Sequence, residues 1–393
     1  MDWSQASAGT VSVWGGEEEL WDHGATQTPV VNSVTFAYED LDHWTEVAKG
    51  EKPGHIYSRS SNPTVQVLEE KIRLLEGAAA AIGFSTGMAA ISDTLLTLLA
   101  PGTRVVSIKD SYGGTSKLFL ELLPRQGVDV ELCDTSDHAA LETAIAKGCD
   151  VVYLESPAIP TLKIVDIERL AGAGHAVGAT VVVDNTFATP INQRPLALGA
   201  DLVVHSATKF LGGHSDALGG LLCGPPELID KVFRYREITG AALHPMSAYL
   251  LIRGIKTLEL RVERHNANAL AIAGFLSEHP KVAEVFYPGL AAHRHHDVAR
   301  RQMRGFGGVL SFALAGGHEA VRRFLPALRL AHLAASLGSV GTLVGPPSTT
   351  SHVEMTVEQR ASLGIPESLI RYAVGIENSE DLIADLRRAL EAA

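Results

Sequence analysis

From about residue 65 onward, short apolar runs rich in β-branched residues alternate with stretches of helical spacing, and this alternation restricts the fold more than any other feature. The runs are RVVSI (104–108), VDVELC (128–133), DVVYLES (150–156), TVVVDN (180–185), ADLVVHS (200–206) and GGLLCG (219–224). Several are apolar throughout, as expected of strands covered on both faces. Between them, SDHAALETAIAKG and IERLAGAGHAVGA carry the 3.6-residue period. Strands and helices in this order predict an α/β domain on a mostly parallel sheet with helices on both sides.

The pattern changes after about residue 245. Residues 247–280 predict one long helix joining two domains. Beyond it, KVAEVFYP, GGVLSFALAGG and IRYAVGI predict strands of a smaller α/β domain, closed by SEDLIADLRRALEAA as a final helix. The expected division is an arm over 1–60 that packs on a neighbouring subunit, a large domain over 61–250 and a small domain over 251–393. AAAAIGFSTGMAAISDTLLTLLAPG is the most apolar window, but Ser, Thr, Gly and Asp93 interrupt it. It reads as a loop and a buried helix, not as a membrane span.

A chain of 393 residues has room for two domains. Its formal charge of −12 argues against nonspecific nucleic-acid binding, which needs clustered cations. Cys133, Cys149 and Cys223 form neither a CxxC pair nor a disulfide framework, which suits a reducing cytoplasm. The first twenty residues are acidic and polar and lack the order of a signal peptide.

The chemistry concentrates at the ends of the runs. HSATKFLGG (205–213) sets Lys209 beside Ser206 and Thr208. A lysine partly desolvated becomes a neutral amine able to attack a carbonyl, and hydroxyls in the same turn suit a phosphate. FSTGMAA (84–90) places Gly87 and Met88 at a helix start, where free N–H groups attract anions. Asp184 ends TVVVD, the usual ligand position in an open α/β sheet, and a carboxylate there can keep a pyridine nitrogen protonated. Tyr112, in DSYGGT just past RVVSI, can cover an aromatic ring. Each piece alone has an ordinary reading, such as a loop lysine, a turn aspartate or a packed tyrosine. Together they point to pyridoxal 5′-phosphate.

In YSRSSNPT (57–64), FSTGMAA, SYGGT, VDNTFATP (183–190), HSATKFLGGHSD (205–216), LIRGIKTLELRVERH (251–265), RRQMRGFGGVLSF (300–312), SLG (336–338) and IRYAVGIE (370–377), the chain resembles one family from about residue 22 to its end. That family is the Cys/Met-metabolism group of fold-type I pyridoxal-phosphate enzymes, which includes cystathionine γ-synthase, cystathionine γ-lyase and methionine γ-lyase. The resemblance implies that Lys209 bonds the cofactor's aldehyde and shuttles protons, that Asp184 pairs with the ring nitrogen and that Tyr112 stacks on the ring. It assigns Gly87, Met88, Ser206 and Thr208 to the phosphate, with Tyr57 and Arg59 reaching it from the neighbouring subunit of a homotetramer. Arg371 is expected to grip the substrate α-carboxylate, assisted by the backbone of Ser336.

The implied reaction is γ-elimination by a carbon–sulfur γ-lyase on a methionine- or homoserine-derived L-amino acid, through a vinylglycine-like intermediate. The alternative is γ-replacement, joining the four-carbon unit of S-adenosylmethionine or an O-acylhomoserine to a nucleophile. The chain departs from its relatives in three places. ESPAIP (155–160) has Ile159 where an asparagine usually touches cofactor and carboxylate; Ala335 stands where cystathionine-handling members carry a glutamate; and 339–355 lacks the usual acidic residue and His-Pro pair. The second departure argues against cystathionine as substrate. Aminotransfer on the same fold, and a non-catalytic binding role, are the other classes weighed. HRHH (293–296) lacks a completing ligand set and predicts no metal site. GAGHAVG (172–178) precedes a strand instead of following one, so it predicts no dinucleotide loop.

Overall fold

The computed structural model describes residues 3–17, 24–353 and 355–393. The larger sheet has seven strands: β1 (Ala80–Phe84), β2 (Arg104–Ile108), β3 (Asp129–Cys133), β4 (Val151–Glu155), β5 (Thr180–Asp184), β6 (Leu202–Ser206) and β7 (Gly220–Gly224). Their order is β1-β7-β6-β5-β4-β2-β3. All pairs from β3 to β6 are parallel, and β7 runs antiparallel to both β6 and β1. The six apolar runs are β2 to β7. β1 was not expected as a strand: AAIGF is mostly alanine and glycine, which carry little strand preference, and pairing with β7 gives it its ladder.

Strand residues alternate between two apolar faces. Tyr153, Val182, Val204 and Leu222 pack with the helix Gly87–Leu98, while Leu154, Val181 and Val183 pack with the helices His138–Ala146 and Ile167–Ala176. The same period decides where functional side chains go. Glu155, Asp184 and Ser206 follow Tyr153, Val182 and Val204 by two, so all three leave the sheet on the face of the helix Gly87–Leu98.

The helix Pro63–Glu76 shows how local sequence fixes an element. Asn62 caps it by accepting from the Thr64 N–H at 3.0 Å, proline occupies its first position, and Gly77 ends it at φ 71°. Glu76 is thereby delivered, buried, to His205 Nε2 on β6 at 2.6 Å.

The predicted long helix over 247–280 is two helices, Pro245–Ile255 and Leu258–Ser277. The break has a physical cause in Arg261, whose buried guanidinium takes the carbonyls of Gly254, Phe210 and Leu211. Gly254 also lies so close to Gly212 that a Cβ would stand 2.1 Å from its carbonyl oxygen. The first helix therefore ends against the loop that carries Lys209.

The smaller sheet has β8 (Val282–Phe286), β9 (Val309–Leu314), β10 (His332–Leu333), β11 (Leu343–Gly345) and β12 (Leu369–Ala373), in the order β10-β11-β12-β9-β8. The helices Gly317–Ala327 and Ser379–Ala392 pack together beside it. β10 and β11 are too short to give a periodic signal.

The helix Ala8–Trp14 packs on Pro63–Glu76 and Leu258–Ser277 of its own chain. Glu17 then joins buried Lys71 at 3.0 Å and Lys256 at 2.6 Å. The expected arm over 1–60 thus begins with a stretch that packs on its own chain. Residues 1–2 and 18–23 of that expected arm lie outside the described residues, as does Glu354 of the 339–355 segment. Among the described residues, no helix is long and apolar enough to cross a membrane.

Candidate active site

At the carboxyl ends of β4, β5 and β6, the two sheets face a common cavity of 440 Å³. Lys209 enters it from the turn after β6, where Lys209 N–H donates to the Ser206 carbonyl at 3.2 Å and Gly213 N–H to the Lys209 carbonyl at 2.7 Å. Its Nζ donates to Ser336 Oγ at 2.9 Å. Burial, and secondarily the charge of Arg371, lowers the amine from its usual value to about 8.

Asp184 is buried at the end of β5, where its carboxylate accepts the Thr186 N–H at 2.9 Å and the Tyr153 hydroxyl at 3.5 Å. Glu155 is its direct partner in the β4–β5 register. Burial raises the pKa of both carboxyls, and the Asp184 charge pushes Glu155 further up. Glu155 also accepts the Tyr112 N–H at 3.0 Å, fixing the backbone of the residue whose ring borders the cavity.

The anion cradle comes from three elements. Gly87 and Met88 open the helix Gly87–Leu98 behind the cap Thr86, which accepts from Ala89 N–H at 3.0 Å. Their N–H groups have no carbonyl of their own helix to pair with. A Cβ on Gly87 would stand 2.6 Å from Ser206 Cβ, so the helix start and the end of β6 meet only because residue 87 has no side chain. Thr208 Oγ1 accepts the Gly219 N–H at 3.1 Å.

Arg371, on β12, is 4% exposed and donates through Nη2 to the Ser336 carbonyl at 2.9 Å. Its buried Nε has no hydrogen-bond partner among the described residues. Burial lowers this guanidinium to about 10. The remaining wall is apolar, with Ile159, Ala335, Phe187 and Leu218 among its residues.

The structure thus brings Lys209, Asp184, Tyr112, Gly87, Met88, Ser206, Thr208, Arg371, Ser336, Ile159 and Ala335 to one cavity. Tyr57 and Arg59 stand apart from its lining. Tyr57 is 40% exposed, and Arg59 lies over its ring at 5.2 Å. Three residues at the site were missed from the sequence: Tyr153, Glu155 and Thr186. The signal for the first two was the two-residue period leading to the end of β4, but ESPAIP drew attention to position 159 alone.

These groups fit pyridoxal 5′-phosphate. The cradle offers N–H and hydroxyl donors to a phosphate, Asp184 an acceptor to a protonated ring nitrogen, and Lys209 an amine to an aldehyde. The unpaired Nε of Arg371 calls for an anion of its own, such as an amino-acid carboxylate. Fold and site together define a pyridoxal-phosphate enzyme of the large-and-small-domain kind.

Residues 9–391 match the Cys/Met metabolism PLP-dependent enzyme family, and the chain belongs to it. It is 45% identical over 394 residues to an L-methionine gamma-lyase of Fusobacterium nucleatum subsp. nucleatum, covering 100% of both chains. It is 42% identical to the chloroplastic cystathionine gamma-synthase 1 of Nicotiana tabacum, covering 94% of this chain and 68% of that one. The crystal structure of cystathionine gamma synthase from Xanthomonas oryzae pv. oryzae, in complex with aminoacrylate and cysteine, superposes with a TM-score of 0.93 at 40% identity, covering 98% of each chain. The cofactor is pyridoxal 5′-phosphate, and the chain is an enzyme of the trans-sulfuration type.

Proposed function

We propose that this enzyme carries out γ-elimination on a methionine- or homoserine-derived L-amino acid, releasing the Cγ substituent with 2-oxobutanoate and ammonia. The observation that carries this reading is the placement of the desolvated Lys209 amine in the same cavity as Asp184 and Arg371. The full-length likeness to a gamma-lyase supports it.

Pyridoxal 5′-phosphate, when bound, supplies an electron sink for charge developing next to the amino group. Lys209 would hold its aldehyde and would move protons at Cα and Cβ of the substrate. Asp184 would keep the ring nitrogen protonated. Gly87, Met88, Ser206 and Thr208 would bind the phosphate, and Tyr112 would border the ring and exchange a proton near Cγ. Arg371 binds the α-carboxylate, held in line by the Ser336 carbonyl. With Ile159 in place of an amide, that guanidinium bears most of the carboxylate's charge. Tyr57 and Arg59 complete the phosphate site of a neighbouring subunit, within a homotetramer. Three unpaired cysteines suit a cytoplasmic setting.

The likeness to two gamma-synthases supports a second reading, γ-replacement. The test is to supply methionine and O-acylhomoserines with and without a thiol and to follow 2-oxobutanoate. Rapid keto-acid release without a nucleophile is expected. Product formed only in the presence of an acceptor would overturn elimination in favour of replacement.

A further inference from the structure

A second chamber of 790 Å³ adjoins the active-site cavity and shares Tyr112, Thr350 and Ser351 with it. We infer that this chamber receives the Cγ substituent of the amino-acid substrate and that the preferred substituent is a bulky, apolar thioether group, a butyl or benzyl chain in place of methyl. The inference rests on the γ-elimination reading and adds the substrate class to it.

Four observations carry it. The first is space. A cavity of 440 Å³ is modest for a ligand site, and cofactor and amino-acid backbone together take much of it. A large Cγ group needs room elsewhere, and the adjoining chamber is the larger of the two. The second is position. The two spaces meet at Tyr112 and Ser351, and Tyr112 is the residue assigned above to proton exchange near Cγ.

The third is the wall. Phe119, Leu120, Val130 and Leu132 of β3, Val353 and Met355 all line it. Leu120 is 60% and Val353 58% exposed, so large apolar side chains from two separate segments stand open to water across the same space. Such surface favours an apolar occupant. Lys109, Lys117 and Glu121 also line the chamber, but all three are exposed, where water screens their charge. Buried His352, in the same wall, is pushed down to about 4 by burial and by Arg360 and Arg371 beside it, so it adds no charge at neutral pH. The fourth is the wall of the active-site cavity itself, where Ile159 and Ala335 offer neither an acid nor an amide to a distal amino group.

The step balances without a further reactant. The Cγ–S bond breaks, sulfur keeps the electron pair, takes a proton and leaves as the thiol, and one water is consumed in giving 2-oxobutanoate and ammonia.

The experiment compares L-methionine with S-butyl- and S-benzyl-L-homocysteine on the holoenzyme, with 2-oxobutanoate as the readout. A methylene moved out of water is worth about fourfold, so kcat/KM is expected to rise more than tenfold from methyl to butyl or benzyl. Leu120→Glu and Val353→Glu, both at exposed positions that tolerate a charge, are each expected to lower the benzyl-to-methyl ratio of kcat/KM at least fivefold. A ratio of one or less in the native enzyme, or ratios unmoved by both variants, overturns the proposal. Failure of the underlying reading looks different, because no keto acid then forms from any of the three. Calorimetric binding still decides in that case: tighter binding of S-benzyl-L-homocysteine than of methionine, lost in Leu120→Glu, supports the chamber, and equal binding refutes it.

Discussion

Lys209 has to meet two demands, since it must be neutral to attack a carbonyl and yet lie among groups that hold anions. Burial and the Arg371 charge both push it toward the neutral form, to about 8. The sign gives a prediction for the cofactor-free protein. The neutral amine is populated above its pKa, so the rate of cofactor capture, read by absorbance after mixing, is expected to climb through about pH 8 and level off above it. Arg371→Met removes the second of the two causes and leaves the first. The midpoint is then expected to move to higher pH, part of the way back to the usual lysine value. An unchanged midpoint would mean that the guanidinium does not act on this amine. Lys209 was legible in sequence because its Ser/Thr and glycine neighbours are contiguous with it. Glu155 was not, because its meaning depends on the strand beside it: only the β4–β5 register sets it against Asp184, and only the loop after β2 brings it the Tyr112 N–H.

At the scale of elements, the phosphate cradle depends on a helix start touching a strand end at a point with no room for a side chain. Gly87→Ala would place a methyl 2.6 Å from Ser206 Cβ, so the helix Gly87–Leu98 or the end of β6 must move. Overpacking of this kind costs about 1–3 kcal/mol. Cofactor affinity, measured by titration of the cofactor-free protein, is expected to fall about tenfold or more. Gly172→Ala serves as the counterpart, because among the described residues nothing lies within 4 Å of the methyl it would add in the helix Ile167–Ala176. That change is expected to leave affinity alone and to raise stability by up to about 1 kcal/mol. Equal losses in both variants would remove the cradle argument. The same contrast explains which elements could be read in advance. β2, β4, β5 and β6 announce themselves because both faces are buried and they are rich in β-branched residues, while β3, a half-exposed edge strand, shows only the alternation of DVELC. β1 is built of small residues and exists by pairing with β7, and the break between Pro245–Ile255 and Leu258–Ser277 is imposed by Arg261 reaching another element. β7 lies far from AAIGF in sequence, and Arg261, though inside 247–280, acts through the distant carbonyls of Phe210 and Leu211.

The whole molecule raises a question that a single chain leaves open at its own active site. Lys209, Asp184 and Arg371 meet in one cavity, whereas Tyr57 and Arg59 lie outside it on a segment with exposed Val34, Leu41 and Trp44. Apolar side chains left in water along 24–60 favour a covering surface. A two-fold interface would bring each segment to the other subunit's site, because such a contact is reciprocal. The consequence can be tested by mixing two inactive proteins. Lys209→Ala lacks the amine but keeps the segment; Arg59→Ala keeps the amine but lacks the segment's cation. Neither is expected to turn over substrate at limiting cofactor. Unfolded together and refolded at equal amounts, half of the dimers formed are hybrids, and in each hybrid one site has both its lysine and its arginine. Activity is then expected to return to about a quarter of the native level, the share of complete sites under random two-fold pairing. Each variant refolded alone supplies the baseline. If Arg59 served the site of its own subunit, a hybrid would contain one site without the amine and one without the arginine, and mixing would restore nothing.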